Sequence, residues 1–448
     1  MHAIIVGGGL VGSLEACFLA KRGLKVDLFE ARQDIRLLEH VKGRSINLAL
    51  SVRGREALGA VGLEQEVVSG GIRMNARKIH DINGKLSAQA YGTKDQYILS
   101  IDRRKLNETL LSAAESNSNV TLHFKHKFIK ADLDEGKAVF LNSDGQEVEA
   151  HADLIVGCDG AYSALRRHIM RTTRFDYSQE YIPHGYMELS IPPSKDDKFQ
   201  MDHNFLHIWP RGEFMMIALP NQDKSFTLTL FMPFNIFESI KTNEDLLIFF
   251  NKYFKDSIDL IGMKELCDCF LSSKALPLVS IKCWPYHVGK NALLLGDAAH
   301  AMVPFYGQGM NCGLEDCLVL DEIFEEFGND LESILNTYSI SRNPDAKAIC
   351  DLAMYNYVEM RDLVNSRSFL FRKKVDNILH MIMPNSFIPL YTMVSFTRLR
   401  YHQIIKKWRF QKKIVDSALY ALLLSSFIIP TVFIASNKLK LWNLWGRK

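Results

Sequence analysis

The chain opens on two apolar runs separated by an amphipathic stretch. His2–Val6 is apolar, Leu10–Arg22 puts Ala16, Leu19 and Ala20 on one face, and Lys25–Phe29 is apolar again and stops at Glu30. That succession of periods predicts strand, helix and strand. Arg53–Val61 has helical spacing. Ile72–Leu99 alternates like antiparallel strands about a turn at Asn83-Gly84. Ile101–Glu115 reads as a helix with Asp102 as N-cap. Val120–Phe124, Ala138–Leu141 and Val148–Ala150 read as short strands, with turns at Glu135-Gly136 and Asp144-Gly145.

A buried strand beginning at Asp153 runs to Asp159-Gly160, after which Ser163 caps a helix carrying Arg166 and Arg167. Residues 183–287 change character. Tyr186–Ile191, Phe205–Trp209, Phe214–Leu219 and Thr227–Phe231 alternate, with one helix, Glu244–Phe254, among them. This predicts a mostly antiparallel sheet inserted into an α/β domain. Ala292–Leu295 is a further strand ending in Gly296-Asp297, followed by a glycine-containing loop and a helix from Cys312 to Phe324. Pro344–Tyr401 is helical in pattern. Ser417–Ala435 carries no charge over nineteen residues, which at about 1.5 Å per residue matches the roughly 30 Å hydrocarbon core of a bilayer. It predicts a transmembrane helix, with a buried C-terminal helix as the alternative. Ile378–Thr397 is apolar too, but Pro384 and Pro389 break it. It reads as helices in the globular part or on a membrane surface, with a second span as the alternative.

The expected organisation is a discontinuous dinucleotide-binding domain, 1–71, 100–182 and 288–343, carrying an inserted sheet domain, 72–99 and 183–287. A helical region, 344–413, a membrane anchor, 414–436, and a short basic tail, 437–448, follow.

The glycines turn this pattern into chemistry. Gly7, Gly9 and Gly12 stand between the first strand and helix with the spacing G-x-G-x-x-G, and Glu30 lies eighteen residues after Gly12. Gly7 permits the tight turn, Gly9 lets a pyrophosphate approach the backbone, and Gly12 lets helix and strand pack closely. The helix N-terminus offers unpaired N–H groups to phosphates, and Glu30 is placed to accept from ribose hydroxyls. At the third strand Asp297 sits where a carboxylate can bind a polyol, and the N–H groups of Gly309, Met310 and Asn311 can stabilise an anion. Arg44 and Asn47 are further candidates to line a cofactor.

Composition adds limits. A net charge of +3 over 448 residues is too small to suggest nucleic acid, while 47% hydrophobic residues predict a packed globule. The basic residues Arg398, Arg400, Lys406, Lys407, Arg409, Lys412 and Lys413 form a run without an acid. Eight scattered cysteines with no C-x-x-C read as reduced thiols rather than disulfides or a zinc site, and Cys267 and Cys269 as core residues. No metal is expected. A strand beginning at residue 2 predicts no secretory leader.

Together, the motifs at Gly7–Gly12, Asp159-Gly160 and Gly296-Asp297 resemble the single-component flavin aromatic hydroxylases of the para-hydroxybenzoate hydroxylase type. The stretches Gly43–Ser51, Phe175–Gln179, Tyr181–Tyr186, Met354–Arg361 and Phe387–Thr392 are similar to the branch of that family that acts on L-kynurenine. The resemblance runs from residue 3 to about residue 436. It implies tightly but non-covalently held FAD, with NADPH and O2 as co-substrates. It further implies hydroxylation of L-kynurenine to 3-hydroxykynurenine by flavin-activated oxygen, within tryptophan degradation. The implied location is the mitochondrial outer membrane, with the catalytic part facing the cytosol. With a single dinucleotide fingerprint, NADPH would visit the flavin transiently.

The residues carry over by position. For FAD the resemblance implies Gly7, Gly9, Leu10, Val11, Gly12, Glu30, Arg32, Ala49, Arg103, Phe128, Asp159, Gly160, Asp297, Gly309, Met310 and Asn311. For the substrate it implies Arg77 on the carboxylate, with Tyr91, Asn356, Glu359 and Tyr391 at the amino-acid end, and it adds Pro304 and Gln308 to the catalytic set. His300 reads as packing beside the flavin loop rather than as a base. Two competing readings share the motifs: a membrane-bound flavin epoxidase or hydroxylase of an apolar lipid, whose pocket should lack the ionic set, and a non-catalytic binding protein of the same fold.

Overall fold

Three apolar strands from distant parts of the chain, His2–Val6, Leu154–Gly157 and Ala292–Leu294, lie side by side at the centre of a six-stranded sheet. Its strand order runs His287–Val288, Ala292–Leu294, Leu154–Gly157, His2–Val6, Lys25–Glu30, Val120–Phe124, and every pairing is parallel except the first. Parallel strands covered on both faces should be continuously apolar. Ile4, Ile5, Ile155, Val156, Leu293 and Leu294 are accordingly fully buried. The computed structural model describes residues 1–39, 47–91, 95–361 and 366–421. Arg44 and its neighbours Gly43, Ser45 and Ile46 fall outside them.

A seven-stranded sheet forms the second layer, in the order Leu276–Trp284, Asp176–Ile191, Phe226–Pro233, Met215–Pro220, Phe205–Pro210, Ala76–His80, Leu86–Ala90. Its pairings are antiparallel apart from Phe205–Pro210 with Ala76–His80. The hairpin turns at residues 81–85, where Gly84 has φ +80°. Its flanks belong elsewhere: Ile98–Asp102 pairs with Asn47–Leu50 on one side and with Ile72–Met74 on the other, in a small sheet beside the dinucleotide domain.

Several elements differ from the sequence reading. Helix Arg103–Glu115 begins after Asp102, whose side chain accepts the Lys105 N–H, so Ile101 is strand. Lys127–Asp132 is a strand that the pattern missed, because its alternation is interrupted by lysines facing solvent. Where one helix was expected in the sheet domain there are four, Phe234–Ser239, Asn243–Tyr253, Lys255–Ile261 and Met263–Ser272. Their apolar sides, including Phe250, Phe254 and Phe270, cover one face of the large sheet. Pro344 lies inside the helix Leu331–Arg361 instead of starting one. The carbonyl it leaves unpaired is that of Ile340, an exposed residue that water can reach.

The C-terminal region is helical at Arg367–Ile382, Leu390–Phe396 and 401–421. The break at residues 383–389 falls on the two prolines, as their missing N–H groups require. Leu390–Phe396 is globular, with Met393 and Val394 fully buried, and neither it nor Arg367–Ile382 is a span. Among the described residues no helix is long and apolar enough to cross a membrane. The charge-free run from 417 to 435 lies outside them beyond residue 421.

Candidate active site

The dinucleotide loop has the shape that its glycines dictate. Gly7 has φ +109°, and a Cβ there would stand 2.6 Å from the Cys158 carbonyl oxygen. A Cβ on Gly12 would stand 2.0 Å from the Gly7 oxygen, whereas one on Gly9 would meet nothing within 4 Å. The first strand and helix are therefore locked together, and the open side faces the place a pyrophosphate would take. Helix Leu10–Lys21 has no side-chain cap, which leaves its first N–H groups to a ligand. Glu30 accepts the N–H groups of Gly8 at 2.8 Å and Arg32 at 2.9 Å. The same carboxylate thus shapes the loop and retains acceptor capacity beside it.

Asp297 follows the third strand. It is exposed and makes no hydrogen bond among the described residues. Its position is set from behind, where buried Asp316 accepts the Gly296 N–H at 2.9 Å and pairs with His300 at 2.7 Å and Arg342 at 2.7 Å. Against the cost of burial, His300 and Arg342 hold the Asp316 carboxyl below its ordinary range. His300 is thus buried with its Nε2 hydrogen-bonded to Asp316. Arg103 is exposed, and its field reaches Asp297 and Glu188.

The helix Gly309–Phe327 is also uncapped at its N-terminus, leaving the Gly309, Met310 and Asn311 N–H groups toward the open side. The Asn311 side chain is fully occupied. It accepts the Ser51 N–H at 2.8 Å and donates to the Ala49 and Gly307 carbonyls, both at 2.8 Å. This ties the glycine loop to the strand carrying Ala49.

Two sequence-predicted residues have duties other than direct contact through their side chains. Asp159 accepts the Ala164 and Leu165 N–H groups at 2.6 and 3.2 Å and so caps the following helix, while its other oxygen is buried without a partner. Burial raises its carboxyl above the ordinary range. Phe128 is buried against Phe140 and His168, within the core. Leu10 and Val11 are half-buried at the helix start, and Arg32 and Gly160 lie on the loops beside them.

A second recess lies across the turn Pro304–Tyr306. Arg77, Tyr91, Glu359 and Tyr391 line one cavity of about 200 Å³. Arg77 is 4% exposed, its Nη1 is 3.8 Å from Glu359 Oε1, and its Cζ lies 4.2 Å from the Tyr391 ring centre. Its Nε has no hydrogen-bond partner. Burial works against the guanidinium charge, but Tyr391, Glu359 and Tyr91 outweigh it and keep the group charged. Tyr391 stacks between Tyr91, at 5.4 Å, and Tyr306, at 5.6 Å. Burial lifts the Tyr91 and Tyr306 phenols well above their ordinary values, so both remain donors at neutral pH.

The strand carrying Arg77 is braced from its other face. His80 contacts Asp256 at 2.8 Å and His207 at 2.8 Å, and Asp256 also accepts the Trp209 indole N–H.

Asn356 does not line this cavity. It is 1% exposed and donates to the Phe305 carbonyl at 2.7 Å, so it fixes the turn between the two recesses, and its Oδ1 is unpartnered. Pro304, first in that turn, is exposed. Gln308 is buried and accepts the Tyr401 hydroxyl at 3.2 Å, linking the glycine loop to the C-terminal helix.

Sequence reasoning missed Lys373. Its Nζ is 4.0 Å from Glu359 and 3.4 Å from Gln89 Oε1, and it faces the same cavity. Burial, and then Arg77, pull it down to about 8. Nothing in its local pattern separates it from the adjacent Lys374, which is exposed.

The arrangement fits a dinucleotide such as FAD in the first recess and a small zwitterion in the second. Comparison with known proteins supports the first of these. Residues 1–353 match the family described as FAD binding domain. The chain is 56% identical over 416 residues to kynurenine 3-monooxygenase of Sus scrofa, covering 93% of this chain and 88% of that one. It is 42% identical over 453 residues to kynurenine 3-monooxygenase of Candida albicans, covering 99% and 97%. Among solved structures, 2-methyl-3-hydroxypyridine-5-carboxylic acid oxygenase has the same fold, with a TM-score of 0.66, 21% identity and 81% and 92% of the two chains covered. Klebsiella pneumoniae HpxO complexed with FAD matches with a TM-score of 0.66, 16% identity and 84% and 94% coverage.

Proposed function

This chain belongs to the kynurenine 3-monooxygenase family of FAD-dependent aromatic hydroxylases, and on that premise we propose that it adds one oxygen atom of O2 to carbon 3 of L-kynurenine, with NADPH as the electron donor. The second oxygen leaves as water. The same reading puts the reaction in tryptophan degradation.

The observation that carries it is the pairing of Arg77 with Glu359 around one cavity. A free amino acid brings a carboxylate and an ammonium. Arg77 offers its unspent Nε and the rest of its fork to the carboxylate, and Glu359 accepts the ammonium directly or through water. An apolar lipid would offer neither group a hydrogen-bond partner and would take from both the water that otherwise reaches the cavity. Tyr91 adds a hydroxyl donor, and the Tyr91–Tyr391–Tyr306 stack gives the aromatic end a wall.

FAD, when bound, supplies the two-electron activation of O2. Gly9 and the uncapped start of helix Leu10–Lys21 would receive its pyrophosphate, and Glu30 and Asp297 would accept from its hydroxyls. The N-terminus of helix Gly309–Phe327 turns its partial positive charge on negative charge developing beside it. The turn Pro304–Tyr306, pinned by Asn356, separates this recess from the Arg77 cavity and sets how closely the ring can approach.

The test is anaerobic flavin reduction by NADPH with and without L-kynurenine. Strong acceleration by L-kynurenine is expected. Acceleration by squalene or para-hydroxybenzoate instead would overturn the substrate.

The reading includes a C-terminal membrane anchor at Ser417–Ala435, in the mitochondrial outer membrane, with the catalytic part in the cytosol. What supports it is the charge-free run and the basic residues before it, which outweigh the tail's Lys438, Lys440, Arg447 and Lys448. Alkali-resistant sedimentation with mitochondria, and protease access to the catalytic part on intact organelles, are the expected results.

A further inference from the structure

The helix Arg367–Ile382 has two unlike faces. Phe369, Lys373 and Asp376, spaced at i, i+4 and i+7, line the Arg77 cavity. On the opposite side Phe371, Ile378 and Ile382, at i, i+7 and i+11, are 58%, 51% and 66% exposed, and Met381 beside them is 77% exposed. The neighbouring helical segment 401–421 repeats the arrangement. Trp408 and Lys412 line the cavity, while Phe410, Ile414 and Tyr420 are exposed and share their face with exposed Lys406 and Lys413. An Arg372–Asp416 ion pair joins the two helices side by side. A cluster of this many large apolar side chains, interspersed with lysines and left open to water, marks a contact surface.

We propose that the outer faces of Arg367–Ile382 and 401–421 lie flat in the headgroup region of a lipid bilayer, so that the substrate cavity is roofed by membrane-resting helices. This rests on the anchor reading above. The occupant follows from where the chain goes. Asp416, paired to Arg372, stands five residues before 421, and the residues after 421 hold most of the charge-free run. A bilayer entered there is adjacent to these faces. The chemistry matches as well. Apolar side chains enter the acyl boundary, and Lys374, Lys406 and Lys413 reach anionic headgroups while their stems stay apolar.

The test uses the full chain in vesicles of mixed phosphatidylcholine and phosphatidylserine. A nitroxide is attached at Met381→Cys, with Ile382→Cys as a second site. Ile248→Cys serves as the control, since Ile248 is an equally exposed apolar residue on a helix of the sheet domain. The signal of unsubstituted protein is subtracted, and an intact flavin spectrum confirms folding. An oxygen-to-nickel-chelate accessibility ratio several-fold higher at 381 and 382 than at 248, in protein that sediments with the vesicles, is the expected result. Sedimenting protein whose three sites are equally aqueous overturns this proposal and leaves the anchor standing. A chain that stays in the supernatant overturns both. Spin–spin broadening at 381 that persists without lipid assigns the face to a second copy and overturns the proposal.

Discussion

Arg77 Nη1 and Glu359 Oε1 stand 3.8 Å apart across the cavity, too far for a hydrogen bond and close enough for the carboxylate to favour the charged guanidinium. Each therefore has hydrogen-bonding capacity left for a ligand. Arg77→Ala should raise the half-saturating concentration of L-kynurenine at least about a hundredfold, since losing one partner of a buried charge pair costs ~3–5 kcal/mol. Arg77→Lys should recover only part of this, because it keeps the charge and loses the fork. FAD content should not change, as Arg77 lies on the strand Ala76–His80 of the seven-stranded sheet. NADPH oxidation against L-kynurenine concentration, with the flavin spectrum, decides it. Normal flavin with an unchanged half-saturation would remove Arg77 from the substrate site.

Glu359→Gln separates the two ends of the ligand. It removes the partner of an ammonium but leaves Arg77 charged. Binding of L-kynurenine should weaken by roughly 1.5–3 kcal/mol, the worth of a hydrogen bond to a charged group. An analogue lacking the α-amino group should bind the wild type and the variant about equally. Titration of both ligands against both proteins is the measurement, and equal losses for the two ligands would contradict the assignment.

Asp297→Ala should weaken FAD retention roughly tenfold to a hundredfold, because an exposed carboxylate with unspent acceptors is lost. Glu30→Ala should have two consequences, since Glu30 also holds the Gly8 and Arg32 N–H groups. It should lower both FAD affinity and thermal stability, whereas Asp297→Ala should lower affinity alone. Flavin dissociation constants beside apoprotein melting temperatures distinguish them.

Glu15 gives the fold a pH dependence unrelated to substrate. It is 1% exposed on the buried face of the dinucleotide helix Leu10–Lys21, one of its oxygens is unpartnered, and burial pushes its carboxyl up to about 8 from 4.5. Between those values the folded chain keeps a proton that the unfolded chain has released. Stability from this group is complete below about pH 4.5 and falls as pH rises toward 8, by up to about 1.4 kcal/mol per pH unit. Glu15→Gln should therefore melt close to the wild type near pH 5 and above it at pH 8. Melting curves at both values test this, and parallel shifts would show Glu15 to be ionised in the fold.

The order of strands and glycine loops was legible along the chain because its causes are local. A pyrophosphate loop needs glycine where backbone meets backbone: Gly12 meets the Gly7 oxygen five residues away, and the turn at Gly7 needs its own φ of +109°, although the backbone that crowds Gly7 is that of distant Cys158. Parallel strands buried on both faces declare themselves as unbroken apolar runs, as His2–Val6 and Ala292–Leu294 do. Arg77, Tyr91, Glu359 and Tyr391 were named through resemblance, and no period in the sequence says that residues 77 and 359 meet.

Tertiary structure alone decided the rest. It gave Asn356 to the Phe305 carbonyl and Gln308 to Tyr401, and it spent the Asn311 side chain on Ala49 and Gly307. A polar side chain's partner depends on which groups burial leaves unpaired nearby, and those come from any part of the chain. Lys373 and Lys374 make the same point at one residue's distance. They are identical in type, but the helix turns one toward Arg77 and Glu359, where burial lowers it to about 8, and the other toward solvent. The sequence supplies the helix and its two charges, and the packing of Arg367–Ile382 against the substrate sheet determines which of them faces the cavity.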